Sequence, residues 1–380
     1  MEVRNSPRAR RAIALISVAL ASLAAGAAAY LWSTAPHPYQ GPPPPATSRP
    51  IPVSMDWRTA TLGWIIVHDA GSPASYLFRT EDGGAHWVRQ LSVDGPATVH
   101  FTDERHGTVQ VGAVRAAGVT ALRTDDGGEH WRPIVQPQVE PGMVVSALLM
   151  AGDSGWALAR TAPYRTVDGG ATWDRLPGPW TAAGDDLLDI ATGAAAGSAW
   201  LTGGATASSA ALFVTRDGGR SWARERLPLG GPGPPAADHV DIHAPTVSAD
   251  GRGVLPVYDR DADQTWLYAS ADAGATWRDP VALPGGGGAR RPAFVDGAAG
   301  WTASVDAAWS TADGGRTWRP AAALAAGWQF GSVAPVSDAM AWVDAVQVRD
   351  PGAGGPASWA LFRTTDAGLH WIRAALPDLD

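Results

Sequence analysis

After residue 35 no apolar run along the chain keeps a helical period of 3.6 residues. Apolar and aromatic positions instead fall in short runs broken by Gly, Pro and Asp, a pattern that predicts β-strands joined by tight turns. One type of run ends in Ser or Thr, as in Tyr76-Leu77-Phe78-Arg79, Ala211-Leu212-Phe213-Val214 and Trp266-Leu267-Tyr268-Ala269. A second type follows shortly after, as in Trp131-Arg132-Pro133-Ile134 and Trp371-Ile372-Arg373. A third lies upstream and carries a Trp in five places, Trp64, Trp156, Trp200, Trp301 and Trp342; Val109 and Val254 stand near that slot in two others. Ahead of it comes a run that often ends in Asp, as at Asp103, Asp189, Asp296 and Asp338.

Between the first two types the chain repeats one phrase seven times: Ser or Thr, Asp two residues on, Gly, then Trp. The aspartates are Asp82, Asp126, Asp168, Asp217, Asp272, Asp313 and Asp366; the closing tryptophans are Trp87, Trp131, Trp173, Trp222, Trp277, Trp318 and Trp371. Glycine supplies the positive φ of a tight hairpin turn, and the Asp carboxylate can accept bonds from the turn's own N–H groups. The Trp is an apolar anchor for the outer strand. These residues therefore read as structural.

Successive closing tryptophans are 44, 42, 49, 55, 41 and 53 residues apart. A repeat of about 40–50 residues is the length of one four-stranded propeller blade, and seven units fall within the usual range of about 4–8 blades. The expected fold is all-β, a seven-bladed β-propeller over residues 53–380, with blades at 53–91, 96–135, 142–177, 184–228, 238–283, 290–324 and 328–377. The chain begins and ends at blade boundaries, so the ring is expected to close by packing between its last and first blades. An Arg follows every closing Trp within two residues (Arg89, Arg132, Arg175, Arg224, Arg278, Arg319 and Arg373), suited to protecting an exposed outer edge.

The first residues change the picture. Arg4, Arg8, Arg10 and Arg11 precede Ala12–Trp32, 21 residues without a charge. About 20 apolar residues suffice to cross a bilayer. Residues 1–35 read as a signal anchor with the propeller outside the cytoplasm, or as a signal peptide cleaved near Ala27-Ala28-Ala29. Residues 36–52, with four consecutive prolines at Pro42–Pro45, form an extended spacer.

Composition then removes several chemistries. The chain has no Cys, which excludes disulfides and thiol nucleophiles. It has no Lys either, all 29 basic residues being Arg, so Schiff-base and phosphate-loop lysine chemistry are absent. Without residues 1–35 there remain 25 basic and 36 acidic residues, a net −11, which argues against a nucleic-acid partner.

Two constellations are candidate metal sites. His239, Asp241 and His243 alternate on a strand and share a face, but its ends are about 13 Å apart, so two of the three at most could bind one ion. Asp259, Asp261 and Asp263 form a D-x-D-x-D run, with Gln264 where a calcium loop needs its sharp-turn Gly. The competing reading is a hydrogen-bonded inner-strand polar cluster for the first and a solvated acidic hairpin for the second. The bulky Trp57, Trp180 and Trp328, in inter-blade connections and inner strands, are candidate binding residues or core residues.

The sevenfold phrase resembles the Asp-box, or BNR, repeat, which is structural in sialidases, sortilin-type receptors and some endoglucanases. The longer unit, with Asp, then Gly-Trp, then T-x-D-G-G-x-x-W, resembles the photosystem II assembly and stability factor family over residues 53–377. That resemblance implies a non-catalytic, exported propeller that needs no cofactor and binds a protein partner, a membrane protein in that family. The alternative is a sialidase-like glycosidase or a lectin with a glycan ligand. Against catalysis, only five Glu follow the anchor, at positions 81, 104, 129, 140 and 225, and none stands paired with Tyr76, Tyr164, Tyr258 or Tyr268. The Phe-Arg-Ile-Pro segment of sialidases is absent, with Phe-Arg-Thr at Phe78 and Phe362 instead.

Overall fold

A computed structural model describes residues 50–112, 120–140, 143–180, 186–193, 197–204, 210–229, 239–285, 291–347 and 358–379. The expected anchor and most of the proline-rich spacer lie outside these residues. No helix among the described residues is long and apolar enough to cross a membrane.

The strands form seven antiparallel sheets, each from consecutive segments. Blade 1 holds β1 (Pro50–Trp57), β2 (Gly63–Asp69), β3 (Ala74–Thr80) and β4 (Val88–Asp94). Blade 2 holds β5 (Ala97–Phe101), β6 (Gly107–Val111), β7 (Thr120–Thr124) and β8 (Arg132–Ile134). Blade 3 holds β9 (Val145–Ala151), β10 (Ser154–Ala159), β11 (Ala162–Thr166) and β12 (Asp174–Arg175). Blade 4 holds β13 (Asp186–Thr192), β14 (Ala199–Gly204), β15 (Ala211–Thr215) and β16 (Ala223–Glu225). Blade 5 has a divided first strand, β17 (Val240–Ile242) and β18 (Thr246–Val247), then β19 (Gly253–Asp259), β20 (Gln264–Ser270) and β21 (Arg278–Ala282). The division falls at Pro245, which has no N–H to give the ladder. Blade 6 is the shortest, with β22 (Ala293–Phe294), β23 (Gly300–Ala303), β24 (Ala308–Thr311) and β25 (Arg319–Pro320). Blade 7 holds β26 (Trp328–Pro335), β27 (Ala341–Gln347), β28 (Ser358–Thr364) and β29 (Ile372–Ala374). The fold is thus an all-β propeller of seven four-stranded blades.

First strands touch first strands of neighbouring blades, β1 with β5 and β26, β9 with β13, and β13 with β18, so they are innermost around the axis. The second strands carry the core: Trp64, Trp200, Trp301 and Trp342 are at most 1% exposed. Close packing dictates the Gly that precedes Trp64, because a Cβ on Gly63 would lie 2.3 Å from the Trp57 ring.

Among the described residues no strand is exchanged between the first and last blades, so packing closes the ring, with one addition. The segment after β29 crosses onto blade 1. There Leu379 is buried in one cluster with Trp57, Phe78 and Trp342. Arg89 Nη2 donates to the Leu379 carbonyl (2.7 Å) and Trp87 Nε1 to that of Ala375 (3.3 Å). Trp57 of blade 1 stacks on Trp342 of blade 7 with ring centroids 4.0 Å apart. Leu379→Ala is accordingly expected to destabilise the whole propeller by about 2–4 kcal/mol, in the range for buried Leu truncation. Urea unfolding of the full chain checks this; an unchanged midpoint would show that the tail does not hold the seam.

Candidate functional site

The seven repeated turns share one geometry. In blade 3 the Thr166 hydroxyl donates to Asp168 Oδ1 (2.7 Å) and accepts from the Gly170 N–H (2.9 Å). Asp168 Oδ1 accepts from the Thr172 N–H (2.9 Å), and Oδ2 from the Thr172 hydroxyl (2.6 Å). The first turn position binds the preceding hairpin of its own blade, as Gly169 N to Asp153 O (2.8 Å) and Ala273 N to Gly251 O (2.8 Å). It is left-handed throughout; in two copies Ala takes it, at φ 56° for Ala273 and 59° for Ala367. The second position is Gly in all seven copies, and there a side chain has no room: a Cβ on Gly274 would meet Trp200 of blade 4 at 2.6 Å.

Of the closing tryptophans, Trp131 and Trp318 donate to the Gly128 and Gly315 carbonyls of their own turns (3.0 Å each), whereas others reach the blade before. Trp173 Nε1 donates to Val135 O (2.5 Å), Trp371 Nε1 to Ala322 O (2.9 Å) and Trp277 Nε1 to Glu225 Oε2 (3.0 Å). The sequence reading assigned each Trp to its own outer strand, whereas these rings also fasten adjacent blades together.

Hydrogen bonds hold the turn carboxylates below the usual range. The Thr172 side chain and N–H bring Asp168 down to about 2, and the Ser221 pair does the same for Asp217. A depressed folded value gives stability that is present above the unfolded value near 3.8 and lost as pH falls through about 2. The buried Gly170 N–H depends on Thr166, while the Asp168 partners face water. Thr166→Val is therefore expected to cost about 1–3 kcal/mol, and Asp168→Ala less than that. The Asp168→Ala deficit should shrink as pH falls from about 4 toward 2. Equal losses in both variants, by denaturant titration, would contradict this ranking.

Glu225 titrates the other way. It sits between the Trp277 indole and Arg216 (3.7 Å), and burial pushes its carboxyl up to about 7. The folded state keeps a proton that the unfolded chain releases near 4.5, so stability declines as pH rises from 4.5 to about 7. Glu225→Gln should raise the melting temperature at about pH 8 and not at about pH 4. A gain independent of pH would sink this assignment.

The innermost strands hold what sequence reading missed. Five of the seven carry one more residue than the facing stretch of the second strand: the extra residues lie at Val53, Ser146, Leu188, the Gly331-Ser332 pair and the His243–Pro245 break. Such bulges bend a strand and re-aim its side chains. Val53 and Leu188 are left 42% and 66% exposed on strands that ring the axis. In blade 7 the bulge gives the Ser332 N–H and hydroxyl to buried Asp344, whose carboxyl burial pushes up. Beside Leu188, Asp189 Oδ2 pairs with Arg291 (2.9 Å), which stands just ahead of blade 6 and so reaches across blade 5. His243 lies within the field of both and of Asp241; burial first, then Arg291, press it down to about 4, leaving a neutral imidazole whose Nε2 has no hydrogen-bond partner among the described residues. This cluster draws on three blades.

The sequence-predicted metal residues do not converge. His239 pairs with Asp261 (2.8 Å), Asp241 with Arg260 (3.7 Å), and His243 faces the axial cluster. Asp259 is buried and accepts the N–H groups of Asp261 and Ala262 (3.0 Å each), a turn cap, while Asp263 accepts the Tyr258 hydroxyl (2.7 Å). Each acid has a different partner, and among the described residues neither run gathers its side chains on one point. Trp57 and Trp180, for which binding and core roles were both open, are buried in the core. Trp57 fills the space over Gly63, and Trp180 packs edge-on against Phe213 (5.7 Å) and Trp222 (5.5 Å). Trp328 is half-buried, edge-on to Phe362 (5.5 Å) under the Arg373 guanidinium (5.0 Å). Close by, Pro50, Trp359, Arg373 and Leu376 line an open groove of about 470 Å³.

No protein-family model and no curated protein matches this chain. Solved structures do. The chain is similar to "YCF48 bound to D1 peptide" at 17% identity and TM-score 0.51, over 81% of this chain and 94% of that one. Similarity to a prolyl endopeptidase described for its inter-domain dynamics has TM-score 0.54 at 10% identity, over 86% of this chain and 50% of that one. A puromycin hydrolase gives TM-score 0.54 at 13% identity, over 91% of this chain and 58% of that one. The chain thus spans 50% and 58% of the lengths of these two enzymes. At such identities the likenesses show the propeller fold.

Proposed function

We propose that this chain is a non-catalytic scaffold that binds a protein partner through the axial surface of its propeller, outside the cytoplasm, held at the membrane by residues 1–35. The observation that carries the reading is the set of bulged inner strands. They leave Val53 exposed on blade 1 and Leu188 exposed on blade 4, the latter next in sequence to Asp189 of the Asp189–Arg291 pair, so that the axial strands offer both apolar and charged groups, suited to polypeptide side chains. Bulges leave the outer packing of the blades untouched, so they are free to shape a surface. The peptide-bound propeller among the solved structures supports the reading, as does the resemblance of the repeat to an exported assembly factor. The uncharged stretch Ala12–Trp32 and the four prolines that follow supply the anchor and spacer.

The test is crosslinking of the full chain in its native membrane, comparing wild type with Leu188→Asp, Val53→Asp and, as an outer control, Val88→Asp. The expected result is one discrete partner, lost in both inner variants and kept in the control. Hydrolysis of aryl glycosides or sialosides by the full chain, abolished by Asp189→Asn or Asp241→Asn, would overturn the scaffold reading in favour of a glycosidase.

A further inference from the structure

The seven turns differ at the residue that donates to Asp Oδ2. Four use a hydroxyl, from Thr172, Ser221, Thr276 and Thr317, each at 2.6 Å. Three use a histidine Nδ1: His86 at 2.6 Å, and His130 and His370 at 2.7 Å. Only the blade 2 turn places a further acid beside that pair. Glu129 precedes His130 where Ala85 and Leu369 precede the other two histidines. One ligand atom each from Asp126, Glu129 and His130 lie within 4.8 Å of one another, the one such group of three among the described residues.

We propose that Asp126, Glu129 and His130 form a binding site for a divalent transition-metal ion, for which zinc is the probe. The donor set of one imidazole nitrogen and two carboxylate oxygens suits such an ion. Its aspartate is already oriented. Asp126 Oδ1 is occupied by the Thr124 hydroxyl (2.8 Å) and the His130 N–H (2.9 Å), which aims Oδ2 at the imidazole as an outer shell aims a metal ligand. Local charge favours the ion as well. The neighbouring cations Arg123 and Arg132 both pair with Asp125, while Glu129 has no partner among the described residues. With a neutral His130 the three groups carry two uncompensated negative charges. Metal binding at Nδ1 needs no net proton loss, since the Nδ1 proton goes to solvent and Nε2, on a ring 84% exposed, takes one up. The site faces water, so its remaining coordination positions are open to solvent or to a side chain from another molecule.

His130→Thr makes a clean test because it installs the hydroxyl that three other turns use, so the turn keeps its Oδ2 donor. Zinc titration of the detergent-solubilised full chain is followed by calorimetry, with melting temperature as the folding control. The expected result is a site weakened at least about tenfold by Glu129→Ala and by His130→Thr. His86→Thr and His370→Thr should leave that site unchanged. Absence of zinc binding up to about 1 mM, or a site equally strong in His130→Thr, would overturn the proposal.

Discussion

The ring depends on a wedge between neighbouring blades. A Trp on the second strand of one blade lies against the second glycine of the next blade's turn. Gly84 meets Trp342, Gly219 meets Trp156, and Gly274 meets Trp200. The turn is shaped by its own Thr and Asp, and only a turn of that shape brings a bare Cα to the ring. Local hydrogen bonding and inter-blade burial are therefore one constraint, which is why the phrase travels as a unit. Two seams lack the Trp, and each has a substitute. Ile134 fills the space at Gly170, and Leu267 fills it at Gly315.

An arginine layer closes the same seam from outside. Arg165 lies over the Trp156 ring at 4.9 Å, and Arg363 lies over Trp342 at 5.8 Å while donating to Gly83 O of blade 1 (3.4 Å). Arg216 does this for the blade 4–5 seam, over Trp200 at 5.8 Å and to Ala273 O at 2.9 Å. An arginine has both the planar face and the reach for this double contact, and lysine would offer only a point charge. An all-Arg composition is consistent with a fold that uses the guanidinium plane repeatedly.

The blades were legible because their information is local. Each turn is written within eight residues, and the Gly-Trp pair and outer strand sit at short range from it. What escaped sequence reading is long-range or relational. Trp57 was open to either a binding or a core role, because nothing near it in sequence discloses that Trp342 lies parallel to it across the closing seam. The inner-strand bulges are mismatches between two strands, and neither strand alone records a mismatch. Pro245 was the one local sign of a break. The Asp189–Arg291 pair joins residues 102 apart, and no spacing rule would bring those two together. His239, Asp241 and His243 did alternate along one strand, but alternation fixes a face and not a common partner.

That division between rim and axis bears on where function lies. At the rim the same side-chain roles recur blade after blade, and substitutions are compensated in place, as Ile134 and Leu267 compensate the missing tryptophans. A surface so constrained by packing has little freedom to acquire a specific partner. On the inner strands the seven copies diverge. One carries Leu188 and Asp189, another His243 with an unpartnered ring nitrogen, and a third a bulge devoted to buried Asp344. Repetition does not account for the Asp189–Arg291 pair, His243 or the buried Asp344, and ring closure does not account for the exposed Leu188. Non-repeated polar and apolar groups collected around the axis of a repeating scaffold are what a binding surface requires. The blade 2 turn is the exception at the rim, for there a structural Asp–His pair gains a neighbouring acid with no packing task.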